Sequence, residues 1–93
     1  MEILSVEVEE FCRRFPNANW TGGNCYWFAV LLQKRFPFFS IYYDWQQGHF
    51  VAGINGVYFD WTGRVFPEKE PYEIEALRRD DPLWYSRIME ANI

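Results

Sequence analysis

The chain has 93 residues, a net charge of −4, 49% hydrophobic and 22% aromatic residues. This bounds it to one small domain spanning 1–93, with enough large apolar side chains for a real core, and excludes a disordered chain. Its Lys and Arg form no basic stripe for a phosphate backbone and no apolar run could span a bilayer, so neither nucleic acid nor membrane is an expected partner.

The N-terminus, Met1-Glu2-Ile3-Leu4-Ser5-Val6-Glu7, is acidic and lacks the basic region of a secretory signal. A cytoplasmic protein is expected, in which Cys12 and Cys25 remain free thiols. Leu4, Val8, Phe11, Cys12 and Phe15 recur at helical spacing, which predicts a first helix of roughly three turns ended by Pro16. Cys12 lies on its apolar stripe and reads as a small core residue. Residues 17–24 are expected to form a loop, with Gly22-Gly23 supplying unusual backbone angles. A second helix is predicted from Cys25 to about Arg35, with Asn24 as its N-cap; it is apolar nearly all round and belongs at the centre of the fold.

After Pro37 the period changes. Phe39 to Asp44 reads as a strand, Gln46-Gln47-Gly48 as a turn, and His49 to Ile54 as a second strand. Asn55-Gly56 is a strong signal for a two-residue type I′ turn, and Val57 to Asp60 returns as a third strand ended by Thr62-Gly63. Pro67 to Pro71 reads as a linker and Glu70-Pro71 as the opening of a short helix to about Arg79. Asp81-Pro82 has the N-cap and N1 pattern of a last helix carrying Leu83, Trp84 and Ile88. The expected fold is α+β: a central helix with a cysteine at its N-terminus packed on a small antiparallel sheet, with helices at both ends.

Chemistry concentrates at three residues. Cys25 is expected at the positive end of the helix dipole, which favours the nucleophilic thiolate. A two-residue loop at Asn55-Gly56 pairs Ile54 with Val57, Gly53 with Tyr58 and Ala52 with Phe59. His49 and Asp60 then become diagonal neighbours on one face, with Cα atoms roughly 7–8 Å apart or slightly less, within reach of a hydrogen bond. Asp60 would orient the imidazole as the third member of a triad, or simply cap the turn at Thr62-Gly63. Trp45 and Trp61 flank the hairpin and, with Tyr26, are candidates to wall a pocket. One histidine and two scattered cysteines without a CxxC pair make a poor zinc site, and no cofactor or metal is expected.

The order of these residues resembles the papain-like cysteine peptidase superfamily and its compact NlpC/P60 and transglutaminase-like branches: cysteine opening a central helix, histidine on a strand, aspartate on the next. Gly23-Asn24-Cys25-Tyr26-Trp27-Phe28-Ala29 is similar to the nucleophile segment of papain-like enzymes. His49-Phe50-Val51-Ala52 and Asn55-Gly56-Val57-Tyr58-Phe59-Asp60 resemble the transglutaminase-like histidine and aspartate strands. Asn19 stands where papain-like enzymes place the glutamine of the oxyanion hole, although it is shorter. The resemblance implies a small cysteine hydrolase or acyl-transfer enzyme acting on a peptide or protein amide. Cys25 would be the nucleophile, His49 the base and Asp60 its orienting carboxylate. The Cys25 backbone N–H, with Asn19, would hold the oxyanion. Hydrolysis, deamidation and transfer stay open. The alternative is a non-catalytic binding or inhibitor protein on the same scaffold, for example a phage-encoded anti-defence protein, consistent with a small acidic chain.

Overall fold

The computed structural model of the chain describes residues 2–14 and 24–92. The expectations for Asn19 and for the Gly22-Gly23 loop lie outside them. Among the described residues, four helices and five strands follow in the order α1 (Glu2–Arg13), α2 (Asn24–Arg35), β1 (Ser40–Asp44), β2 (His49–Ile54), β3 (Val57–Asp60), β4 (Gly63–Val65), β5 (Tyr72–Glu73), α3 (Ile74–Asp80) and α4 (Pro82–Asn92). The strands form one antiparallel sheet in the order β4-β3-β2-β1-β5. The architecture is the α+β arrangement expected from the sequence, with α2 packed on the sheet and helices at both ends.

The hairpin forms in the predicted register. Ile54 faces Val57, Gly53 faces Tyr58 and Ala52 faces Phe59. Asn55 at φ 51 and Gly56 at φ 79 supply the two left-handed residues that a type I′ turn requires. Gly53 is needed for a different reason. A Cβ there would run into the ring of Tyr58 and stand 3.0 Å from the carbonyl oxygen of Val57.

The α2 helix joins two apolar clusters because Cys25, Phe28, Ala29 and Leu32, spaced i, i+3, i+4 and i+7, form one broad apolar face whose two edges meet different neighbours. Phe28 and Leu32 pack with Val8 and Cys12 of α1 and with Ala52 and Phe59 of the sheet. Cys25 and Ala29 pack with Phe50 of β2, Ile74 and Leu77 of α3, and Ile88 of α4. The fully buried rings of Phe28, Phe39, Phe50 and Phe59 each contribute about 2–3 kcal/mol of burial free energy. Burial around α2 is not complete, however: Trp27 is 52% exposed.

Two helix starts need correction, and two short strands were not anticipated. The α2 helix starts at Asn24, one residue early, so Cys25 is its second residue. Thr62-Gly63 ends β3 as expected, but the sheet continues past it. Gly63, at φ 104, turns the chain back into β4, which pairs Asp60 with Gly63 and Tyr58 with Val65. Residues 67–71 form no helix or strand, as the linker reading expected, but the helix read as opening at Glu70-Pro71 begins only at Ile74, after β5 has added to the edge of β1. Both added strands are too short for alternation to reveal them; pairing with an existing edge makes them. The Asp81-Pro82 start of α4 forms as expected, with the Asp81 carboxylate accepting from the backbone N–H of Trp84 at 3.3 Å.

Candidate active site

His49 opens β2, so its ring stands at the end of the sheet, where the N-terminus of α2 also arrives. Asp60 closes β3 on the neighbouring strand. His49 Nε2 lies 2.8 Å from Asp60 Oδ2, and the side chains are 18% and 7% exposed. Asp60 keeps its other oxygen for the turn: Oδ1 accepts the backbone N–H of Thr62 at 2.7 Å and the Thr62 hydroxyl. The two roles weighed for Asp60 are therefore not alternatives. One oxygen caps the turn and the other faces the imidazole.

Cys25 is 5% exposed and hydrogen-bonded to His49. With Nε2 committed to Asp60, Nδ1 is the ring nitrogen left for the thiol. Burial pushes the Cys25 thiol up. The bond to His49, the N–H of Phe50, the imidazolium charge and the N–H of Tyr26 outweigh it and bring the thiol below its ordinary value of 9.0. Burial likewise disfavours the charged form of His49. The hydrogen bonds to Asp60 and Cys25 and their charges prevail, raising it from 6.5 to about 9. Asp60 is pushed up by burial but held below 3.8 by His49 and by both Thr62 donors. All three directions favour thiolate, imidazolium and carboxylate in sequence.

Cys12 behaves in the opposite way. It is 1% exposed, and burial with the nearby charges of Asp60 and Glu9 pushes it up to about 12, against a bond from the Gly63 N–H. It is the small core residue that the sequence suggested. Both cysteines are free.

The three pocket candidates separate. Trp61 packs edge-on against His49, with ring centroids 5.1 Å apart at 90°. Tyr26, next to the nucleophile, packs at 5.1 Å on Phe50, and its hydroxyl is raised by burial and by Tyr85 and Glu75. Trp45 turns elsewhere. Its indole donates to the Glu70 carbonyl at 3.4 Å and lies 6.5 Å from Tyr72, which in turn packs at 5.0 Å on Trp84. Asn19, the oxyanion candidate, lies outside the described residues. Among the described residues no group of three or more His, Cys, Asp or Glu side chains could hold a metal ion, and no helix is long and apolar enough to cross a membrane.

A family profile described as Phage YunG-like protein matches residues 8–90. The chain belongs to that family. No curated protein and no solved structure matches it. The match covers α2, the hairpin and the Asp60–Gly63 turn, so every described residue of the site falls inside it.

Sequence reasoning named the Thr62-Gly63 turn as a cap for Asp60 but not the Thr62 hydroxyl as a second donor, nor the Phe50 N–H aimed at the sulfur. The Asp60-Trp61-Thr62-Gly63 segment carried a signal for the first, since an Asp with a Thr two residues on is an Asx-turn pattern. Nothing local announced the second. It follows from α2 packing on β2.

Proposed function

We propose that this protein is a cysteine hydrolase or acyl-transfer enzyme acting on an amide bond of a peptide or protein through Cys25, His49 and Asp60. The observation that carries this reading is the continuous hydrogen-bonded line from the Cys25 thiol through His49 to Asp60. A cysteine needed only for packing gains nothing from such a line, as Cys12 illustrates.

In this mechanism the Cys25 thiolate attacks the carbonyl carbon. The C–S bond forms as the carbonyl π pair moves to oxygen. The oxyanion is held by the backbone N–H of Cys25 at the N-terminus of α2, with Asn19 as a second donor by resemblance. The His49 imidazolium gives its proton to the departing nitrogen, the C–N bond breaks, and a thioester remains. Neutral His49 then takes a proton from water, or from an acceptor amine or hydroxyl, as it attacks the thioester carbon; the C–S bond breaks, the Cys25 thiolate leaves and the thiolate–imidazolium pair is restored. Asp60 keeps the imidazole in the productive tautomer throughout. A reducing cytoplasm, in which the thiol is preserved, suits this chemistry.

The test is alkylation of Cys25 against pH, followed by mass spectrometry, in wild type and in His49→Ala. Rapid labelling well below the ordinary thiol range, lost in the variant, is expected. Slow labelling, or a profile that the variant leaves unchanged, would remove the basis of the proposal.

One observation favours the non-catalytic reading. Trp45, Tyr72 and Trp84 form a connected aromatic group, 43%, 39% and 36% exposed, beside Leu83 at 66%. Exposed aromatic groups of this kind mark interaction surfaces. A binding protein of this type would keep its partner after Cys25→Ala and lose it after Trp84→Ala.

A further inference from the structure

We infer that Thr62 is a positioning residue for the Cys25–His49–Asp60 line, acting through Asp60 to hold the His49 ring in place. The inference rests on the functional reading above for its consequence.

A carboxylate at the end of a strand can turn about its terminal torsion, and that torsion is broad and soft. Asp60 lacks this freedom. Its Oδ1 receives two donors from one residue, the Thr62 N–H at 2.7 Å and the Thr62 hydroxyl. With that oxygen saturated, Oδ2 is left aimed at His49 Nε2, 2.8 Å away. The hydroxyl must be the donor here, because an ionised carboxylate only accepts. Asp60 in turn fixes which imidazole nitrogen carries hydrogen towards it, and hence which nitrogen faces the thiol.

The turn is anchored at its far end as well. Gly63 follows Thr62, is buried, and donates its N–H to the thiol of Cys12 in α1. It also pairs back to Asp60 in the β3–β4 ladder. Residues 60–63 are thus pinned to α1 on one side and to the sheet on the other. Within this unit the Thr62 hydroxyl is the one side-chain donor to Asp60 that can be removed without disturbing the backbone bond.

Two substitutions isolate it. Thr62→Val keeps the shape and the backbone N–H but removes the hydroxyl, whereas Thr62→Ser restores a hydroxyl without the methyl. Both are read by Cys25 alkylation against pH, by NMR titration of His49 and by thermal melting. Wild type and Thr62→Ser should share one alkylation profile. Thr62→Val should label about threefold to tenfold more slowly below the ordinary thiol range, as expected for one lost hydrogen bond at an exposed residue. Its imidazole Nε2–H resonance should broaden or disappear. If Thr62→Val does not fold, Thr62→Ala replaces it in the same comparison. A Thr62→Val protein with the wild-type alkylation profile and His49 titration would overturn the inference while leaving the Cys25–His49 pair intact. Slow labelling in wild type itself would instead overturn the functional reading.

Discussion

The replacement Asp60→Asn tests the electrostatics of the site most directly, because it keeps the size of the side chain and removes its charge. His49 rises from 6.5 to about 9 despite burial that opposes its charge. That rise corresponds to about 3 kcal/mol of preference for the imidazolium. The hydrogen bond to Asp60 is the largest contribution in its favour, ahead of Cys25. Asp60→Asn should therefore lower the His49 midpoint by about 1 to 2 pH units. His49 is the only histidine in the chain, so its imidazole Cε1–H signal can be followed without assignment ambiguity. The linkage has a definite sign. A group whose folded pKa lies above its unfolded value stabilises fully below the unfolded value, and that stabilisation fades as pH rises through the folded one. For His49 the window closes between 6.5 and about 9. Asp60, held below 3.8, is ionised throughout that window. The unfolding free-energy gap between wild type and Asp60→Asn, measured by chemical denaturation, should thus be widest near about pH 6, on the order of 2 kcal/mol, and narrow above about pH 9. A His49 that still titrates near 9 in the variant, or a gap that stays constant with pH, would refute the reasoning.

Two further outcomes are expected. Under native conditions Cys12 should label far more slowly than Cys25 and become comparable only after unfolding, because it is 1% exposed and pushed up to about 12; equal native labelling of the two thiols would contradict this contrast. Gly53→Ala should destabilise by about 1–3 kcal/mol through overpacking of its Cβ against Tyr58 and the Val57 carbonyl. Chemical denaturation measures this loss, and an unchanged midpoint would mean that the Tyr58 ring moves aside at no cost.

Much of the site was legible because it depends on short-range rules. The Asn55-Gly56 turn sets the register, and the register alone brings His49 and Asp60 together. The meeting of Cys25 with His49 was not readable from spacing, since it requires α2 to cross the sheet in one orientation. That orientation depends on long-range apolar contacts, such as Phe28 with Phe59 and Cys25 with Phe50. The short strands β4 and β5 escaped for a related reason. A segment of two or three residues has no period of its own, and its conformation is set by the edge it joins. Trp45 shows the limit of proximity in sequence. It follows directly after Asp44, the cross-strand partner of His49, yet its indole is drawn to the Glu70 carbonyl and Tyr72.

The two cysteines also show what separates a nucleophile from a core residue of the same type. Both are almost fully buried, so burial opposes ionisation in each. The difference lies in what faces the sulfur. Cys25 meets a histidine and the N–H groups of Phe50 and Tyr26 at the start of a helix, whereas Cys12 lies near the carboxylates of Asp60 and Glu9. Asp60 takes part in both outcomes. Its charge favours the His49 imidazolium, which stabilises the Cys25 thiolate, and the same charge opposes ionisation of Cys12. A single carboxylate, fixed by the turn that Thr62 closes, thus sorts the two thiols into one reactive and one inert. Its removal should bring their reactivities closer together from both directions.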